Sequence, residues 1–124
     1  MAAPAVPDRL PAAERGSLRI ADRVVAKIAA QAAGEVLSNA PGSDLVPPDA
    51  APHASVSVRR NTARLRLALE IGYPSDIGGV CGSVRRHVTS RVEALTGMDV
   101  PEVAVEVERL HSAAARRKDE GRVQ

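Results

Sequence analysis

A chain of 124 residues with a net charge of +2 is long enough for one small domain, and its charge is too low to imply a polyanionic partner by itself. It has no Phe, no Trp and one Tyr, so its core must be built from Val, Leu, Ile and Ala. Cys81 is alone, which excludes an intrachain disulfide, and no apolar run approaches the length of a membrane span.

Residues 1–15 are Ala/Pro-rich, with Asp8, Arg9, Glu14 and Arg15 scattered through them without a period. Such a segment buries too little apolar surface to order itself and is expected to be a disordered tail. It lacks the charged start and apolar middle of a signal peptide, so a cytoplasmic protein is expected. Gly16 opens the folded part, and Leu18 and Ile20 alternate with Ser17 and Arg19 as a short strand would. Asp22 then caps or charge-stabilises a helix start.

Val25, Ile28, Ala29, Ala32, Ala33 and Val36 form an apolar stripe, with Arg23, Lys27, Gln31 and Glu35 off it. That spacing predicts an amphipathic helix over residues 24–37, its Ala-rich face able to lie close to a sheet. Asn39, Pro41 and Gly42 end it, and Pro47, Pro48 and Pro52 mark residues 39–53 as an extended, mobile surface loop. Val56 and Val58 then alternate with Ser55, Ser57 and Arg59, and Leu65, Leu67, Leu69 and Ile71 alternate with Arg64, Arg66, Ala68 and Glu70. The Arg60-Asn61-Thr62 turn between them predicts a hairpin.

Gly72-Tyr73-Pro74 breaks the second strand, and Ser75 or Asp76 caps a long helix. Ile77, Val80, Val84, Val88, Val92 and Leu95 share one face of it, and Gly97 stops it. The period then changes from helical to two, with Val103, Val105 and Val107 alternating with Ala104, Glu106 and Glu108. Beyond Leu110 the chain turns polar and is expected to fray from a helix into a disordered tail over residues 111–124. The order strand-helix-strand-strand-helix-strand predicts an α+β domain over residues 16–110, with one small sheet and two helices packed on one face. A ferredoxin-like arrangement would seat the helices side by side.

The residues assembled so far resemble the alkaline-shock-protein family of Gram-positive bacteria, the envelope stress response proteins. The pattern runs from Gly16, Leu18, Ile20 and Asp22 through Val24-Val25 and Ile28-Ala29. It continues over residues 65–71, Gly72-Tyr73 and Asp76-Ile77. Val92-Glu93, Leu95-Thr96-Gly97 and the Val103, Val105, Val107 strand complete it. It departs from the family at Ala21, where a Ser is usual, at Ala104, where an Asn is common, and in the Pro-rich loop. The resemblance implies a non-enzymatic protein, cytoplasmic or held at the inner membrane face. It also implies that copies self-associate and act with a membrane-anchored partner, without cofactor or catalytic residues.

Gly79-Val80-Cys81-Gly82 matches the bare G-x-x-G of a KH nucleotide clamp, and glycines at a helix start can expose N–H groups to phosphate. The segment lacks the Lys-Ser/Thr of a P-loop, and a KH clamp joins two helices whereas this one follows a strand. The plainer reading is that Gly78 and Gly82 let the helix approach its neighbour. Arg59, Arg60, Arg64 and Arg66 around the hairpin, and Arg85, Arg86 and Arg91 on the long helix, form the candidate interaction surface. Together with the Gly79–Gly82 turn, the hairpin arginines supply the alternative reading, a nucleic-acid-binding module. That alternative lacks the aromatic side chains on which RNA-binding sheets stack bases, so nucleic acid is not the expected partner. His53, His87, His111 and Cys81 have no zinc-like spacing, and no nucleophile-base constellation is legible, so an enzyme is not expected.

Overall fold

A computed structural model describes residues 19–73 and 76–113. Helix α1 (Asp22–Ser38) is followed by a 3-10 turn (Ser43–Leu45) and the strands β1 (His53–Arg59) and β2 (Thr62–Tyr73). Helix α2 (Ile77–Thr96) and strand β3 (Asp99–Ser112) complete the chain order.

The described strands form one mixed sheet in the order β1-β2-β3, with β1 antiparallel and β3 parallel to β2. Arg60 and Asn61 link β1 to β2 at φ 49° and 63°. Two consecutive positive φ angles give a two-residue turn whose twist matches that of the paired strands. Across β2, Ala63, Leu65, Leu67, Leu69 and Ile71 are buried while Arg64 and Arg66 are exposed. The buried row meets Val25, Ala29, Ala32 and Ala33 of α1 and Val84, Val88 and Val92 of α2 in one cluster. Both helices therefore lie on one face of the sheet, and the domain is α+β.

The close approach of α1 follows from its three buried alanines. Helix α2 begins at Asp76, whose carboxylate accepts from the Gly79 N–H at 3.0 Å. It ends at Gly97 with φ 74°, as the Gly stop requires. The hairpin turn is tied to that end of α2: the Asn61 side-chain amide donates to the Gly97 carbonyl, and the Asp99 N–H donates to the Asn61 carbonyl.

Several expectations need correction. Arg19 and Ile20 adopt no strand and Leu18 lies outside the described residues; Ile20 packs on the core as the extended lead into α1. The β2–β3 pair is direct, with no strand between them, unlike the split β-α-β unit of a ferredoxin-like sheet. Of the two roles expected of Asp22, capping is not made, since Ala21 is the N-cap and no side chain bonds there; Asp22 sits in the first turn, where a carboxylate stabilises the helix start by charge. Residues 39–53 are not extended throughout. Gly42, at φ 80°, turns the chain back onto Gly72, and His53 already belongs to β1. The buried face of α2 proceeds from Val84 to Val88 and Val92 in four-residue steps, leaving Leu95 57 % exposed. Strand β3 continues through His111 and Ser112, beyond the Leu110 limit expected for it, and a helical conformation begins only at Ala113, the last described residue. Of the tails expected over residues 1–15 and 111–124, the first and residues 114–124 of the second lie outside the described residues, and His111 and Ser112 belong to β3.

Candidate interaction surface

The face of the sheet opposite the helices carries side chains in cross-strand rows set by the register. Ser57, Arg64 and Glu102 form one row, Ser55, Arg66 and Ala104 the next, and His53, Ala68 and Glu106 a third. Arg64 and Glu102 are 3.6 Å apart and both well exposed, a pairing worth about 0–1 kcal/mol at most. The face is thus a solvated mixture of both charges.

The seven candidate arginines do not converge. Arg64 and Arg66 stand on the open sheet face, and Arg59 and Arg60 at the hairpin end. Arg85, Arg86 and Arg91 belong to α2, in the layer on the other side of the sheet. Arg86 donates to Ser83 Oγ at 3.3 Å, and the field of Arg91 reaches Glu35. Two separate basic groups result.

The Gly-rich start of α2 is organised around a carboxylate. A Cβ on Gly79 would stand 2.9 Å from the Asp76 carboxyl carbon, so glycine there leaves room for the capping group. Neither Gly78 nor Gly82 would bring a Cβ against a neighbouring helix, so close helix approach is not their role. An acidic side chain occupies the place where the G-x-x-G reading would put a phosphate. Cys81 is 8 % exposed, and burial pushes its thiol above its ordinary value despite the nearby Arg85. That disfavours the thiolate, the reactive form.

Two His–Glu contacts were invisible in the sequence because 52 and 41 residues separate their partners. His87 Nε2 and Glu35 Oε1, joining the two helices, are 2.6 Å apart. The hydrogen bond from His87, with a smaller contribution from Arg91, holds the Glu35 carboxyl below its ordinary value. His111 Nε2 and Glu70 Oε1, also 2.6 Å apart, join β3 to β2. Among the described residues, no three His, Cys, Asp or Glu side chains gather as a metal site. A hollow of about 270 Å³ lies beneath the Pro-rich loop, lined by Leu37, Val46, Pro47 and Ile71. It falls below the usual range for small-molecule pockets.

The edges of the sheet offer more than its face. Among the described residues β1 and β3 each have β2 on one side and no strand on the other. Strand β3 presents Val103, Val105 and Val107 on its helix side and Glu102 and Glu106 on its open side. Its extra residues opposite β2 fall between Asp99 and Glu102 and at Glu108, leaving residues 102–107 in regular register. Leu110 beyond the second irregularity is 43 % exposed. The acidic row was legible as alternation, but the sequence did not show that its strand lies at an edge.

No family model, curated protein or solved structure matches this chain. Among the described residues, no helix is long and apolar enough to cross a membrane.

Proposed function

We propose that this chain is a non-enzymatic interaction domain of the envelope-stress class. In this reading it is cytoplasmic, associates with further copies of itself, and is held at the inner membrane face by an anchored protein partner. The observation that carries the self-association is the β3 edge, which no strand among the described residues covers, with an alternating apolar and acidic register over six regular residues, 102–107. An unpaired edge is a template for another strand, with main-chain hydrogen bonds giving affinity and alternate side chains giving specificity. The envelope-stress assignment rests on the sequence resemblance, and the α+β sheet carrying two helices on one face is compatible with it.

Capture from the native host under envelope stress, with nuclease treatment, tests the reading. Membrane-protein partners that survive nuclease are expected. Capture that disappears with nuclease would instead favour the nucleic-acid module.

A further inference from the structure

The two edges of the sheet differ in charge in a way that selects how copies meet. Strand β1 carries His53, Ser55, Ser57 and Arg59 on the open face and Ala54, Val56 and Val58 toward the core, without an acidic residue. Strand β3 carries Glu102, Ala104 and Glu106 on the open face and Val103, Val105 and Val107 toward the core. Since β1 is antiparallel and β3 parallel to β2, β1 and β3 run in opposite directions. A second copy laid beside the first in the same orientation therefore brings its β1 antiparallel to β3, with both helix layers on one face.

We infer that the β3 edge, over residues 102–107, takes the β1 edge of a second copy as the next antiparallel strand. This rests on the self-association proposed above and specifies its surfaces. With Val105 opposite Val56 of the second copy, Val103 faces its Val58 and Val107 its Ala54, extending the apolar row across the junction. On the open face Glu102 meets Arg59 of the second copy, Ala104 meets its Ser57, and Glu106 its Ser55. His53 of the second copy falls beside Glu108 at the irregularity in β3.

The symmetric alternatives fit less well. Pairing β3 with β3 about Val105 brings Glu102 of each copy towards Glu108 of the other at the irregularity, adding acidic repulsion with no basic residue of β3 between 102 and 107 to offset it. Pairing β1 with β1 about Val56 sets Arg59 opposite His53 and leaves the acidic β3 row uncovered. The head-to-tail contact uses two different patches and leaves one of each free on every assembly, so copies can add without closure.

Full-length chains bearing Ser57→Cys and chains bearing Ala104→Cys, separately and mixed, are treated with a short bis-maleimide. Both substitutions lie on the open sheet face, and buried native Cys81 is present in every chain, including the unmodified control. Covalent dimers containing one of each variant are expected from the mixture only. Dimers from Ser57→Cys alone would indicate β1–β1 pairing, and dimers from Ala104→Cys alone β3–β3 pairing; either overturns the inference. Self-association by sedimentation without cross-linking in the mixture also overturns it, while leaving the interaction-domain reading intact. A chain that remains monomeric by sedimentation removes the inference and the self-association together.

Discussion

The peptide of Gly42 fills the space in which a side chain on Gly72 would stand: a Cβ on Gly72 would lie 2.6 Å from the Gly42 carbonyl carbon. This contact seats the Pro-rich loop on the end of β2. Gly72→Ala should force the two backbones apart and lower stability by about 1–3 kcal/mol, the usual range for overpacking. Gly34→Ala is the control, because nothing stands within 4 Å of that Cβ and the site is inside α1. It should raise stability by about 1 kcal/mol through helix propensity. Urea midpoints of the two variants should move in opposite directions.

Leu67 is 0 % exposed in the middle of β2, and Arg66 beside it faces solvent. Leu67→Ala should cost about 2–5 kcal/mol, whereas Arg66→Ala should change the unfolding midpoint far less. Equal effects would mean that the buried row of β2 is assigned to the wrong face.

Asp76 and Gly79 act as one cap, with the carboxylate accepting the Gly79 N–H and the missing side chain making room for it. Asp76→Ala should cost about 1 kcal/mol, the typical value for a lost N-cap. Gly79→Ala should also destabilise by displacing that carboxylate. In the double variant the loss should be smaller than the sum, because both changes break the same interaction. Additive losses would separate the two residues.

Much of this organisation was legible along the chain. The period-two rows of β2, the Arg60-Asn61 turn and the Gly97 stop each rest on local sterics and on the alternation of neighbours, so they could be read without a partner segment. What could not be read depends on contacts between distant residues. The meeting of Gly42 with Gly72 gives the Pro-rich loop its shape, and the direct pairing of β3 with β2 places Glu102 and Glu106 at an edge. The sequence places Leu95 on the apolar face of α2, three residues beyond Val92. The buried stripe advances instead by four residues at that point. The arginines were legible as exposed, but only the sheet shows that it separates Arg64 and Arg66 from Arg85, Arg86 and Arg91.

The helix-to-helix contact of Glu35 with His87 gives stability a defined pH dependence. The Glu35 carboxyl is held below its ordinary value of 4.5 by the His87 hydrogen bond first, so folding favours its charged form. Its contribution should be complete above that ordinary value and be lost as pH falls through the depressed one. Glu35→Gln should flatten this acid limb when unfolding midpoints are followed across the carboxylate range. An unchanged limb would show that the contact contributes nothing to folding.

Sedimentation velocity of the full-length chain over a wide concentration range, at low and at high salt, tests the central claim that this is a self-associating interaction domain. The weight-average mass is expected to rise with concentration and to rise less steeply at high salt, because pairing of the acidic β3 edge with the Arg59-bearing β1 edge is screened. A strict monomer at high micromolar concentration in low salt would contradict the account.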